Sequence, residues 1–175
     1  MTRRVRGLAL GGLVALVVLF ASRALLGPAR ADGDHGPLNP LAPLVGGRWV
    51  ERDVVGAIEC ELRWGDEGHS IWERVLVDGE VAAETRYYWH PGELESGSLV
   101  MSSVRSDGEV RQGILREDQP GSLEMRFNAH GLDGSGRSYR ERIRFLDPDR
   151  IVRSLRHVTG EEEILVEERT LTRKR

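Results

Sequence analysis

The chain has 175 residues, 25 of them basic and 28 acidic, a length that suits one domain able to bury a core without help from disulfides or metals. Its one cysteine, Cys60, excludes an internal disulfide framework. Five of the arginines fall in residues 1–31, where no acid stands, so the remaining 144 residues carry 20 basic against 28 acidic side chains. That excess of negative charge argues against a nucleic-acid partner, whose phosphates call for a basic patch.

Residues 1–31 have the three parts of a signal peptide. Arg3, Arg4 and Arg6 make a positive start, Gly7 to Ser22 is almost wholly apolar, and Ala29-Arg30-Ala31 supplies the small residues that signal peptidase accepts. Cleavage is expected before Asp32, giving a secreted protein, periplasmic or extracellular. The alternative is an uncleaved anchor helix through residues 7–27, about 20 residues and long enough to span a bilayer. Only in that case does the chain meet a membrane. Residues 32–43 read as a linker, because Pro37, Pro40 and Pro43 recur every three residues and favour extended backbone. Leu41, Leu44 and Val45 are expected to form one helical turn that plugs a barrel end, and the folded domain is expected to span 44–175.

From Arg48 onward the chain is a series of short runs in which apolar and polar residues alternate, the period of half-buried strands. Ile58, Cys60, Leu62 and Trp64 alternate with Glu59, Glu61 and Arg63. Asp78-Gly79 marks a two-residue hairpin before Val81, Ala83, Thr85, Tyr87 and Trp89, and His90-Pro91-Gly92 ends that run. Leu99 to Arg105 follows, then Val110, Gln112 and Ile114 as the inward face of the next strand, then Leu123, Met125 and Phe127. Tyr139 to Phe145, Ile151 to Val158 and Glu163 to Thr172 complete the set. No segment keeps a helical period, so parallel βαβ units are excluded. The expected fold is all-β, an up-and-down antiparallel β-barrel of about ten strands.

Three stretches resemble a known family: Leu44-Val45-Gly46-Gly47-Arg48-Trp49, the strand end Tyr87-Tyr88-Trp89-His90-Pro91, and Glu168-Arg169-Thr170-Leu171-Thr172-Arg173. Together they are similar to the lipocalin-like (calycin-type) barrel domains of uncharacterised exported bacterial proteins, over about Leu41 to Arg173. The resemblance implies that Trp49 packs across the closed end beneath an arginine of the last strand, Arg169 or Arg173. Gly47, Trp49 and Arg169 are assigned this structural role. The later loop motifs of lipocalins, their disulfide and their C-terminal helix are missing here.

Polar residues at Glu73, Ser103, Gln112, Glu141, Arg153 and His157 fall on faces read as inward, more than a dry core tolerates without partners. One reading is a ligand-binding pocket walled by Tyr87, Trp89, Met101, Phe127 and Tyr139, with Glu141 and Arg153 paired across the Asp147-Pro148-Asp149 hairpin. The other is ordinary packing, or a register one residue out, which exchanges inside and outside. No enzyme is expected. Carboxylate pairs such as Glu73 and Glu141 arise by chance among 28 acids, no Gly-x-Ser-x-Gly elbow occurs, and Cys60 has no His or Asp in a recognisable arrangement. The histidines show no metal-ligand spacing, and no cofactor motif stands in the chain. The expected function is binding of a small apolar or amphipathic ligand in the barrel; the alternative is a non-enzymatic structural or protein-interaction module of the cell envelope, its barrel filled by its own side chains.

Overall fold

The structure, a computed structural model, describes residues 36–51, 56–65, 68–92 and 97–174. The export segment 1–31 and the first residues of the linker lie outside the described residues. Ten strands follow a 3₁₀ helix at Gly36–Leu44: β1 (Arg48–Val50), β2 (Ile58–Trp64), β3 (Ser70–Val77), β4 (Glu80–His90), β5 (Ser98–Arg105), β6 (Val110–Gln119), β7 (Ser122–His130), β8 (Gly136–Asp147), β9 (Arg150–Thr159) and β10 (Glu162–Lys174). Each pairs antiparallel with the next, and β1 pairs with β10, so the sheet closes on itself as an up-and-down barrel. The closing seam is short: of β10, Thr172, Arg173 and Lys174 pair with β1.

The alternation of the sequence is the alternation of the walls. On β4, Ala83, Thr85 and Tyr87 are buried while Glu84 and Arg86 are exposed. Asp78 takes φ 51°, a left-handed conformation that a two-residue hairpin of type I′ requires of its first residue and that Asp tolerates. On β6, however, the inward residues are not Val110, Gln112 and Ile114. Met101 of β5 faces Gly113, which faces Phe127 of β7, so Arg111, Gly113 and Leu115 point in and Gln112 is exposed. The two faces of this strand differ little in polarity, so the pattern alone left the register one residue out. The small residue belongs inside because Phe127 fills the space: a Cβ at Gly113 would stand 2.4 Å from that of Phe127.

The stretch expected as a linker is corrected in its second part. Residues 36–43 are 3₁₀ helix, with Leu38, Leu41 and Leu44 buried. A three-residue repeat fits a 3₁₀ helix as well as an extended polyproline chain. What decides between them here is the leucines: at a spacing of three they share one face, and the barrel end offers that face an apolar seat. The helix, with the β2–β3, β4–β5, β6–β7 and β8–β9 connections, marks the plugged end. The β3–β4, β5–β6, β7–β8 and β9–β10 hairpins ring the other.

Candidate functional site

At the plugged end Trp49 is fully buried, and its indole Nε1 donates to the Leu44 carbonyl at 2.9 Å. The guanidinium of Arg173 lies over the ring at 4.5 Å and donates to the Pro43 carbonyl. The register explains why this arginine does the stacking: Trp49 is directly opposite Arg173, and Arg169 is two inward positions further along β10. Arg169 is therefore not the residue over the tryptophan. Gly47 allows the arrangement, since a Cβ there would come 3.2 Å from Cγ of Arg173.

One layer further in, Arg153 of β9 reaches across the barrel. Its Nε donates to Glu141 Oε1 at 2.6 Å, its Nη1 donates to Glu73 Oε1 and also lies 3.4 Å from Cys60 Sγ. Tyr87 donates its hydroxyl to the other oxygen of Glu73 at 2.5 Å. Glu73 is only 3% exposed, so these two donors satisfy a carboxylate that burial would otherwise penalise heavily. Burial alone would lower the pKa of Arg153, but the carboxylates of Glu141 and Glu73 reverse that and hold it well above its usual value. Burial, then the charge of Glu73, raises Tyr87 well above the usual phenol range. Burial likewise pushes the Cys60 thiol up to about 12, against the smaller opposing pull of Arg153.

Above this layer, in the half away from the plug, lies a cavity of about 240 Å³. Glu73, Glu141 and Arg153 border it, with Tyr87, Met101, Met125 and Phe127; Ile58, Val75, Val77 and Leu155 supply aliphatic wall, and Thr85 and Ser103 a hydroxyl pair bonded at 2.9 Å. Towards the mouth, Arg169 pairs with Glu51 and Glu167, and Arg111 pairs with Glu109 at 2.7 Å while its guanidinium lies 5.3 Å from the Phe127 ring centre. Burial would lower the pKa of Arg169, and its two carboxylate partners raise it instead.

Of the expected ligand residues, Tyr87, Met101, Phe127, Glu141 and Arg153 border the cavity, and Trp89 and Tyr139 do not. Trp89 sits where β4 runs out at the plugged end, 40% exposed and against Gly97. Tyr139 stands near the mouth end of β8, stacked on Phe127 at 5.4 Å and tilted against His157 at 5.4 Å. Both have the inward parity but the wrong depth. Residues that the sequence reading left out of the pocket include Arg105, Arg111, Met125, Leu155, Glu167 and Arg169. The signal for the last was present: β10 alternates Arg169, Leu171 and Arg173, which places all three on the inner face.

No protein-family model matches the chain, and no curated protein matches it. Among solved structures, the crystal structure of Rv2717c from M. tuberculosis is similar at 15% identity, the match covering 85% of this chain and 100% of that one with a TM-score of 0.48.

Proposed function

We propose that this barrel is a container for a small amphipathic molecule and that it binds its guest without transforming it. The observation that carries this is the cavity of about 240 Å³, with aliphatic and aromatic walls above and a charged, hydrogen-bonded floor of Glu73, Arg153 and Glu141 below. Pockets for small molecules combine apolar lining with a few placed polar groups in this way. An arginine held between two carboxylates is arranged to orient a polar end. The export of the protein, and its place in the periplasm or outside the cell, rest on residues 1–31 of the sequence.

The plugged half is filled by its own side chains, as a purely structural module would be throughout, and the cavity in the other half is what favours the container. The test is to purify the full chain from its host without denaturant and examine it by native mass spectrometry, then to follow its melting temperature against a panel of apolar and amphipathic compounds. A co-purifying small molecule, or a rise in melting temperature with some of the panel, is the expected result. Protein that carries nothing and responds to nothing would leave the structural module as the better account.

A further inference from the structure

We infer that the outer wall of β5 and β6 is an interface between two copies of this chain, packed face to face about a two-fold axis parallel to the strands. On β5 and the first half of β6 the outward residues are Val100, Ser102 and Val104, paired with Ile114, Gln112 and Val110. None is charged. The strands on either side differ, for β4 shows Glu84 and Arg86 outward and β7 shows Glu124 and Arg126. Val104 is 55% exposed, Ile114 41% and Val110 38%. Leu132 leans over the β5–β6 hairpin and extends the patch to the mouth, since a Cβ at Gly108 would stand 2.8 Å from its Cδ1. An uncharged, apolar stripe on an otherwise charged wall marks a contact surface. It also accounts for the similar faces of β6, because an outer face that is covered has the composition of an inner one.

What flanks the stripe selects a second copy as its cover. Two convex walls touch along a line and part on either side, so short side chains belong in the middle and long ones at the flanks. Here valines and a serine hold the middle, with Arg86 and Tyr88 on the β4 side and Arg126 on the β7 side. The two flanks also complement each other in shape. On one, the Arg86 guanidinium lies 5.5 Å from the ring centres of both Trp72 and Tyr88, forming a stacked ridge. On the other, a groove of about 500 Å³ runs from β5 to β9 over Asn128, Ser138 and Val158. A two-fold axis along the strands carries β4 of one copy onto β7 of the other at the same depth, ridge over groove. The register then sets Glu84 against His130, Arg86 against Asn128 and Tyr88 against Arg126, with no like charges opposed. An axis across the strands would set Arg86 against its own copy.

Sedimentation equilibrium of the protein purified from its host, over a range of concentrations, tests this. A dimer is expected. Val104→Asp places a carboxylate on both sides of the contact and is expected to raise the dissociation constant at least about a hundredfold. Should that variant fail to fold, Ile114→Arg is expected to have the same effect. Leu146→Arg, which changes an exposed apolar residue at the plugged end, is expected to leave the dimer intact. Arg126→Glu is expected to weaken it about tenfold, through loss of the guanidinium over Tyr88. A monomer at every concentration, or a dimer that neither Val104→Asp nor Ile114→Arg weakens, overturns the interface. A monomer that binds phosphatidylcholine vesicles through the same two residues overturns it as well, and makes the cover a lipid surface. A dimer that Arg126→Glu leaves unchanged or strengthens overturns the axis.

Discussion

Below the layer of Glu73, Arg153 and Glu141 the barrel is filled: Trp49, Leu62, Ile71, Leu99, Leu115, Leu123, Ile143, Ile151 and Leu171 are buried there, and the leucines of the 3₁₀ helix close the end. Above the layer the same ten strands enclose a cavity ringed by arginines and glutamates. A ten-stranded barrel is wider than the eight-stranded ones whose interior side chains can just fill. The plugged half uses that width for large apolar groups and an inserted helix. The open half lines it with long charged side chains that are locked to one another, and such groups resist the collapse that apolar ones would undergo. One half therefore gives the molecule its stability, and the other gives it a space.

The contrast is broken most severely from below. Trp49→Ala removes a fully buried indole together with its bond to Leu44, and a loss of about 3 to 5 kcal/mol in denaturant unfolding is expected. At the boundary, Arg153→Met leaves Glu73 and Glu141 without their shared cation, and an expected loss of about 3 kcal/mol, read in the same assay, would show that this layer is structural as well as a floor for the cavity. Arg173→Ala is expected to cost about 1 kcal/mol and to alter the near-ultraviolet circular dichroism of the tryptophans, since it removes the stacked guanidinium. Arg169→Ala should leave that spectrum unchanged. Equal spectral effects of the two would contradict the assignment of the stack to Arg173.

The smallest expected effect concerns Cys60. With burial holding the thiol protonated up to about 12 against an ordinary 9.0, the native protein should resist iodoacetamide at mildly alkaline pH and react once unfolded. The folded state keeps its proton where the unfolded chain loses it, so this contribution to stability is whole below 9.0 and lost as pH climbs toward about 12. A thiol alkylated at the same rate in native and unfolded protein would place Cys60 at the surface.

Much of the fold was legible because period-two alternation and turn residues are local signals. Cys60 on the inner face of β2, the hairpin at Asp78-Gly79 and the pairing of Glu141 with Arg153 all follow from spacing along one or two adjacent strands. What alternation cannot give is depth along the barrel axis. Trp89 and Tyr87 share a face, yet one lies at the plugged end and the other beneath the cavity, a difference set by where β4 begins and by its stagger against β3 and β5. Contacts across the barrel are hidden for the same reason. Arg153 meets Glu73 from the far wall, 80 positions away in sequence, and no local pattern joins them. Of the 3₁₀ helix the last turn, with Leu41 and Leu44, was legible as a plug; the prolines, whose spacing suits two backbones equally, hid its earlier part.

The claim that one half is hollow and the other solid is tested most directly by nuclear magnetic resonance of the isotope-labelled full chain, titrated separately with phenethylamine and phenethyl alcohol. Chemical-shift changes are expected at Thr85, Ser103, Met125 and Leu155, which border the cavity, with Leu62, Leu99, Leu123 and Ile151 unmoved. Changes confined to the plugged end or to the outer wall, or no changes with either compound, would contradict it.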